Sequence, residues 1–432
     1  MASLLETDPI ACRRTFVLSA ALFISALLPR PAVASDLQFH AYADLRLVVP
    51  SEERSWTEGG LGKLRFDDAS GSDLNFRLAE IVVEGTAQIT PELTALTSLR
   101  YAENQRSPVD ALEAYVRYRP VSTDEWRWSA KVGAFFPPIS LENDEIGWTS
   151  PWTLTPSAIN TWIGEELRTI GAEGKVEMRG EVDNLEATAA LFGWNDPAGV
   201  LIADRGWAMH DRPTALFDRP RLPDAFANSY GFGVPLITPM FKEIDDRAGW
   251  YGSLSWRRED VGRLNMLRYD NRADPTAVRG QIAWRTEFWS LGADTQIGDV
   301  TILAQALTGE TEIAPFAPDG DYVLSSSLTK FDSAYILAGW TKGDWRLAAR
   351  GDVFRTRQLE TLIDGAEVEI LHGENSERGY AFTLAATWVP YDWLRLTGET
   401  LFLHNNRPQR EIEGLPRQSD EAQTQLSARV FY

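Results

Sequence analysis

Apolar and polar residues alternate along most of this chain with a period of two. The last ten residues, QTQLSARVFY, place Tyr432, Val430, Ala428 and Leu426 on one face and mostly polar residues on the other. The same alternation runs through residues 170–178. A period of two predicts β-strands whose two faces lie in different environments.

Short polar turns separate these alternating runs. Seven are present, with the sequences ITPE, VSTDE, GEVDN, EDVGR, IGDV, TKGDW and VPYDW. Seven hairpins give fourteen strands, and the segment DLQFHAYADLRLVV and the C-terminal run bring the prediction to about sixteen. Ala79 and Glu80 interrupt the alternation of their run, so we expect a β-bulge there.

The connections between hairpins are long. They cover residues 49–72, 137–165, 195–248, 309–329, 355–377 and 404–420. Short turns on one rim and long loops on the other predict an all-β fold, a transmembrane antiparallel β-barrel of about 16 strands with short periplasmic turns and long extracellular loops. A secreted, soluble β-sandwich or a two-domain all-β protein is the alternative.

Aromatic residues are abundant, with 16 Trp, 12 Tyr and 19 Phe. Four of them, Trp126, Trp345, Tyr391 and Trp393, lie beside short turns. Trp194 and Trp250 flank a long connection. Aromatic girdles at both membrane interfaces are typical of transmembrane barrels, so the composition supports the same fold.

The N-terminal segment has the order of a secretory signal. Arg13 and Arg14 precede an apolar run, and Ala32-Val33-Ala34 follows it. The run is too short to span a bilayer as a helix. We therefore predict a signal peptide over 1–34, cleaved after Ala34, and a barrel over 35–432; a membrane anchor or a buried core helix is the alternative.

The chain is acidic, with a formal net charge of −20 that becomes −21 without residues 1–34, which carry three Arg against one Glu and one Asp. This charge argues against nucleic acid as a partner. The only cysteine is Cys12, so the mature chain is expected to have no disulfide, thiol nucleophile or cysteine-bound zinc. No cofactor and no metal site are predicted.

The C-terminal strand has a predicted partner. In a barrel it pairs with the first strand, which removes both free edges. Its ending, with Tyr432, Val430, Ala428 and Leu426 on one face, resembles the C-terminal signal that the barrel-assembly machinery recognises in outer-membrane proteins, although the last residue there is usually Phe. We expect this machinery, outer-membrane lipid and lipopolysaccharide as partners.

The stretch KVGAFFPPISLEN is a strand that runs into a Pro-Pro bend. Together with the sixteen-strand layout, it resembles the porin superfamily, and most nearly the phosphate-selective porin group. The resemblance implies passive passage of small polar solutes through a water-filled channel, usually by a homotrimer. The phosphate-binding residues of that group do not match this sequence one by one, so phosphate specificity is not carried over.

Assigning the apolar face to lipid places the alternate residues in the lumen. The predicted pore-lining residues are Arg77, Arg100, Arg117, Arg127, Arg257, Arg285, Arg346, Arg350 and Arg395. A ring of arginines in a pore favours anions, so small anionic solutes are candidates. The alternative is that these arginines pair with acids across the wall and favour neither charge.

The connection 137–165 follows the fifth strand, where many porins fold a loop inward to narrow the pore. It carries Glu142, Asp144 and Glu145 as candidate constriction residues. Facing an arginine-bearing wall, these acids are expected to set up a transverse electric field. An external lid over the rim is the alternative for this loop.

Two rival functions stay open. An outer-membrane enzyme is disfavoured because His40, His210, His372 and His404 lie in no catalytic motif, and the pair His210-Asp211 is expected on a solvated loop. An interaction protein would bind a partner or divalent cations with its acidic loops. This sequence, however, has no acidic spacing typical of a calcium-binding loop, such as Asp-X-Asp-X-Asp-Gly.

Overall fold

Strand alternation in the sequence becomes a single antiparallel sheet in the computed structural model. The structure describes residues 36–66, 74–224, 236–314, 325–362, 367–369 and 375–432. The predicted signal peptide and its cleavage after Ala34 lie outside the described residues.

Seventeen strands form the sheet of the described chain. They are β1 (Asp36–Val49), β2 (Asn75–Gln88), β3 (Leu93–Ala102), β4 (Val109–Tyr118), β5 (Trp126–Phe135), β6 (Thr169–Arg179), β7 (Asp183–Gly193), β8 (Gly249–Arg258), β9 (Gly262–Asp270), β10 (Arg285–Ile297), β11 (Val300–Ile313), β12 (Ser325–Lys342), β13 (Trp345–Leu362), β14 (Glu367–Glu369), β15 (Glu377–Tyr391), β16 (Leu394–Asn406) and β17 (Gln418–Phe431). The helices are α1 (Ala158–Glu166), α2 (Val200–Asp204) and α3 (Gln409–Ile412), and a 3-10 turn covers Trp56–Glu58.

The sheet closes on itself, because β1 pairs with both β2 and β17. In the closing ladder Tyr42 lies opposite Phe431 and Val49 lies opposite Thr424. The short strand β14 only extends the pairing of β13, so the barrel wall consists of sixteen strands. The predicted fold is confirmed.

All seven predicted turns join neighbouring strands, and the strands enter the predicted long connections at the opposite rim. The turn between β12 and β13 is only two residues long, and Gly343 there has a φ of 56°, which glycine adopts without strain. Several strands, such as β13, continue further into the long-loop side than the sequence indicated.

The phase break predicted at Ala79 and Glu80 is present, since these consecutive residues of β2 are both buried. A second irregularity interrupts the β3–β4 ladder at Ser98 and Leu99. Above and below each break the inward and outward faces exchange, which keeps apolar side chains outside the barrel.

The outer surface of the wall is apolar. Exposed outward residues include Leu254, Leu291, Ile336, Leu384 and Leu426. The six aromatic residues proposed for the girdles, Trp126, Trp345, Tyr391, Trp393, Trp194 and Trp250, are all exposed. Apolar surface of this extent on a closed barrel is expected where the solvent is lipid. Among the described residues, no helix is both long and apolar enough to span a membrane.

Candidate functional site: the loops inside the barrel

Three chain segments fill much of the barrel interior: residues 51–66, 136–168 and 194–224. Many of their buried apolar residues form the largest of several clusters with inward residues of the wall. Trp162 of α1 lies at its centre, with ring centroids 5.4 Å from Phe288, 5.0 Å from Phe331 and 6.1 Å from Trp207. The long loop after β5 therefore folds inward and is not an external lid.

Wall carboxylates hold the inward loop 136–168 by its backbone. Glu399 of β16 accepts hydrogen bonds from the N–H groups of Leu154, at 2.6 Å, and Thr155, at 3.1 Å. Asp352 of β13 accepts from the N–H of Ala158 at 3.2 Å, at the start of α1. Backbone donors that a buried loop would leave unpaired are thereby satisfied.

Arg350 is the main cation of this attachment. Its Nε lies 2.8 Å from Asp352 and its Nη1 lies 3.3 Å from Glu142, and all three side chains are fully buried. The guanidinium also donates to the carbonyl oxygens of Thr155, at 2.7 Å, and Pro156, at 3.0 Å. One wall residue thus binds the loop through charge and through its backbone.

The third segment, 194–224, is tied to the wall by Asp211. Its carboxylate lies 2.5 Å from Arg46 of β1 and 2.9 Å from Arg65 of the first segment. Arg46 also forms an ion pair with Asp44, with 2.8 Å between Nη2 and Oδ2. Burial raises the pKa of Asp211, but Arg46 and Arg65 outweigh it, so the pKa lies far below its usual value and the group stays charged.

His210 is buried among charged groups. Its Nε2 lies 2.8 Å from Glu165 of α1, and its Nδ1 accepts from the backbone N–H of Arg212 at 3.2 Å. The ring of Trp56 packs against it at a tilt of 32°, with the ring centroids 4.4 Å apart. Burial lowers the pKa of His210, against the effect of Glu165. Burial raises the pKa of Glu165, but Arg205 and His210 outweigh it and lower the value to about 2.

Acid should therefore loosen the packing of α1 against segment 194–224. Both groups have a lower pKa when docked, so each contributes stability that is lost as pH falls, from about 6.5 for His210 and between about 4.5 and 2 for Glu165. Hydrogen exchange of residues 158–166, corrected for intrinsic rates, should show less protection at pH 5 than at pH 7.5. His210→Asn should flatten this difference, and equal protection in the native protein would contradict it.

A cavity of about 460 Å³ lies inside the barrel on its short-turn side; we call it the vestibule cavity. Its wall contributes Glu84 and Glu113, and the inward loop contributes Asn143, Asp144 and Glu145. Glu145 binds Arg395 through two contacts of 2.6 and 2.9 Å and lies 3.7 Å from Arg346. Burial and Glu145 raise the pKa of Asp144.

Comparison with known proteins gives the fold a precedent. The outer membrane channel DcaP of Acinetobacter baumannii is 9% identical, with 94% of this chain and 99% of that one covered and a TM-score of 0.54. The anion-selective porin from Comamonas acidovorans is 11% identical, covering 92% and 100%, with a TM-score of 0.48. The fold is that of the DcaP channel, a closed sixteen-stranded antiparallel barrel. No family model matches the sequence, and no curated protein sequence does.

A loop-deletion mutant of OmpT, an outer membrane protein of Vibrio cholerae, is 10% identical, with 92% of this chain and 100% of that one covered and a TM-score of 0.49. With this fold and an apolar outer wall, the protein is an outer-membrane β-barrel. Membership of the phosphate-selective group has no support in these similarities.

Six of the nine predicted arginines lie on the inner face of the barrel wall. These are Arg77, Arg117, Arg127, Arg257, Arg346 and Arg395. Arg77 pairs with Glu103 at 3.6 Å and Arg127 with Glu177 at 3.7 Å. Arg117 and Arg257 have no ion pair within the part of the chain that the structure describes.

The other three arginines require correction. Arg100 and Arg350 point inward, but each is only 1% exposed because loop segments cover them, so they do not face water. Arg285 is half-exposed and has the strand parity of the lipid-facing Trp289, so it lies on the outer face near the long-loop rim. There the strand has left the apolar band, which permits an outward charge.

The candidate constriction acids are separated by the fold. Glu142 is buried against Arg350 and accepts from the N–H of Ser157 at 2.8 Å, so it is part of the loop attachment. Asp144 is exposed. Glu145 contacts the wall arginines Arg346 and Arg395, so this acid faces arginines across the interior as the expected transverse field requires.

Some residues of the interior were not identified as functional from the sequence. His210 and Asp211 were expected on a solvated loop but are 3% and 6% exposed. Their binding partners come from distant segments, and the sequence carries no local signal of them. Asp44 and Arg46 alternate on the inner face of β1, which is the one available signal for their position.

One group of carboxylates in the described residues has the spacing for a cation. Oxygens of Asp196, Glu243 and Asp245 lie within 4.8 Å of one another. Burial raises the pKa of Asp196 to about 7, and Glu243 and Asp245 add to the rise. Neighbouring carboxylates of this kind also occur in proteins without a metal. The predictions of no cofactor, no metal and no enzymatic activity stay predictions.

Proposed function

We propose that this protein is an outer-membrane channel for passive diffusion of small polar solutes, narrowed by loops inside the barrel. The observation that carries the proposal is the inward loop 136–168, which brings Glu145 against Arg346 and Arg395 beside the vestibule cavity. Sixteen-stranded barrels are wide enough for an aqueous channel, so the loops decide what passes.

The filled interior favours small solutes. Trp162, Ile159 and Trp207 are almost completely buried within the barrel, which leaves no wide water-filled lumen around them. We therefore expect a conductance well below that of an unobstructed barrel. Phosphate is not among the proposed solutes, because the phosphate-binding residues of the phosphate-selective group do not match this sequence one by one.

The anion preference predicted from nine arginines now rests on fewer residues, because three of them do not face the lumen. Arg117 and Arg257 favour anions at the periplasmic side. Against them stand four carboxylates around the vestibule cavity, with Arg395 already bound to one of them. The carboxylates outnumber the free arginines, so we expect a preference for cations rather than for anions.

A surface interaction protein is the second candidate function. It is favoured by how firmly the inner segments are attached to the barrel wall. Arg350, Asp211 and Glu399 all take part in buried contacts between the wall and these segments. In that case the barrel would only anchor the external loops.

Single-channel recording in planar bilayers separates these two functions. Purified protein should produce small, reproducible current steps in 1 M KCl, and uncharged sugars of increasing size should define a narrow cutoff in liposome swelling. Properly folded barrel that inserts and never conducts would refute the channel and support the anchor.

A homotrimer is the proposed assembly. The outer face of the wall carries small residues at Ala338, Ala349, Ala386 and Gly398, which line a shallow groove. Small residues allow close approach between membrane-embedded surfaces. Outer-membrane lipid and lipopolysaccharide would contact the rest of the outer face, and the exposed Tyr432 is available to the assembly machinery.

A further inference from the structure

The vestibule cavity has an unusual balance of hydrogen-bonding groups. Four carboxylates line it, from Glu84, Glu113, Asp144 and Glu145, against a single guanidinium, that of Arg395. Arg395 already donates to both oxygens of Glu145. The cavity therefore offers acceptors and negative charge, and almost no free donor.

Cations near the cavity are engaged elsewhere. Lys131 pairs with Glu173 at 3.2 Å. Arg168 donates to the carbonyl oxygens of Leu167, at 2.8 Å, and Thr214, at 2.6 Å. Glu113 receives one hydrogen bond, from the backbone N–H of Phe136 at 3.0 Å, and no ion pair within the described residues. The carboxylates of Glu84 and Glu113 are left to act on a ligand.

Asn143 holds part of the cavity wall in place. This residue lines the cavity, and its Nδ2 donates to the carbonyl oxygen of Trp148 at 2.8 Å. The bond fixes the backbone of the inward loop beside Trp148, so this part of the cavity is preformed.

Apolar surface completes the cavity. Leu96, Tyr115, Trp148 and Phe431 lie in its lining. Aromatic faces attract cations, and carboxylates beside them supply the matching charge. A volume of about 460 Å³ is within the range of small-molecule sites.

We propose that the vestibule cavity is a binding site for small organic cations with an ammonium or guanidinium head and an apolar body. The head is held by Glu84, Glu113 and Asp144, and the body packs on Tyr115 and Trp148. As part of the proposed channel function, this site makes such cations the preferred solutes.

Calorimetric titration of the purified full-length barrel with benzylammonium chloride tests the site. Benzyl alcohol and sodium benzoate have the same ring without the positive charge. Saturable binding of benzylammonium alone is expected. The double variant Glu84→Gln/Glu113→Gln should weaken it at least tenfold.

The matched control is Glu177→Gln/Glu186→Gln, which removes the same charge from inner-wall residues that lie outside the cavity lining. The affinity of this control variant for benzylammonium should stay within twofold of that of the native protein. Equal weakening in both double variants, or equal binding of benzyl alcohol, would overturn the site.

Bilayer recording in the same samples keeps the two proposals apart. A conducting channel that does not bind benzylammonium removes the cation site and leaves the channel. A barrel that binds benzylammonium but never conducts removes the channel and leaves the site.

Discussion

Replacing residues 140–166 with a short Gly-Ser linker should raise the single-channel conductance several-fold. The segment carries α1 and its central Trp162, together with Glu142 and the backbone bound by Glu399. The wall ladders do not include these residues, so the barrel should still close. Conductance in 1 M KCl and the sugar cutoff in liposome swelling measure the effect.

An equivalent replacement of residues 411–415 is the control. These residues are exposed in the connection after β16, and most follow α3. The change should leave the conductance as it is. If the 140–166 replacement forms a heat-modifiable barrel with unchanged conductance, the segments 51–66 and 194–224 close the barrel by themselves.

Arg350→Ala should produce the largest loss of stability among single substitutions of the wall. It leaves Glu142 and Asp352 buried without their cation, and breaking a buried pair in this way costs about 3–5 kcal/mol. The inward loop should also exchange its amides faster. Denaturant unfolding of the barrel in detergent measures the free energy of unfolding.

Arg346→Ala is the matched comparison on the same strand and the same inner face. Its side chain is partly exposed and lies 3.7 Å from Glu145, so we expect a loss of at most about 1 kcal/mol. Arg350→Met combined with Glu142→Gln and Asp352→Asn should recover part of the stability, because no buried charge is left unpaired. Equal losses for Arg350→Ala and Arg346→Ala would show that the buried pairs do not hold the loop.

Charge pattern alone could not separate pore residues from attachment residues. Arg346 and Arg350 share one strand and one face, yet only Arg346 reaches the lumen. The difference arises because Thr155 and Pro156, almost two hundred residues earlier in the chain, cover Arg350. Arg285 was misplaced for another reason, since strand β10 continues beyond the apolar band and its outward face becomes polar there.

The sequence by itself determined the wall of this protein. Alternation fixes which face of each strand meets lipid, and short polar turns fix antiparallel neighbours, so the sixteen strands, the closure of β17 on β1 and the seven turns all follow from local pattern. Only the tertiary structure decided what fills the barrel. Glu399 meets Leu154 across 245 positions of sequence, and contacts of that range have no periodicity to reveal them. They place the inward loop, cover Arg350 and leave the acidic vestibule cavity open.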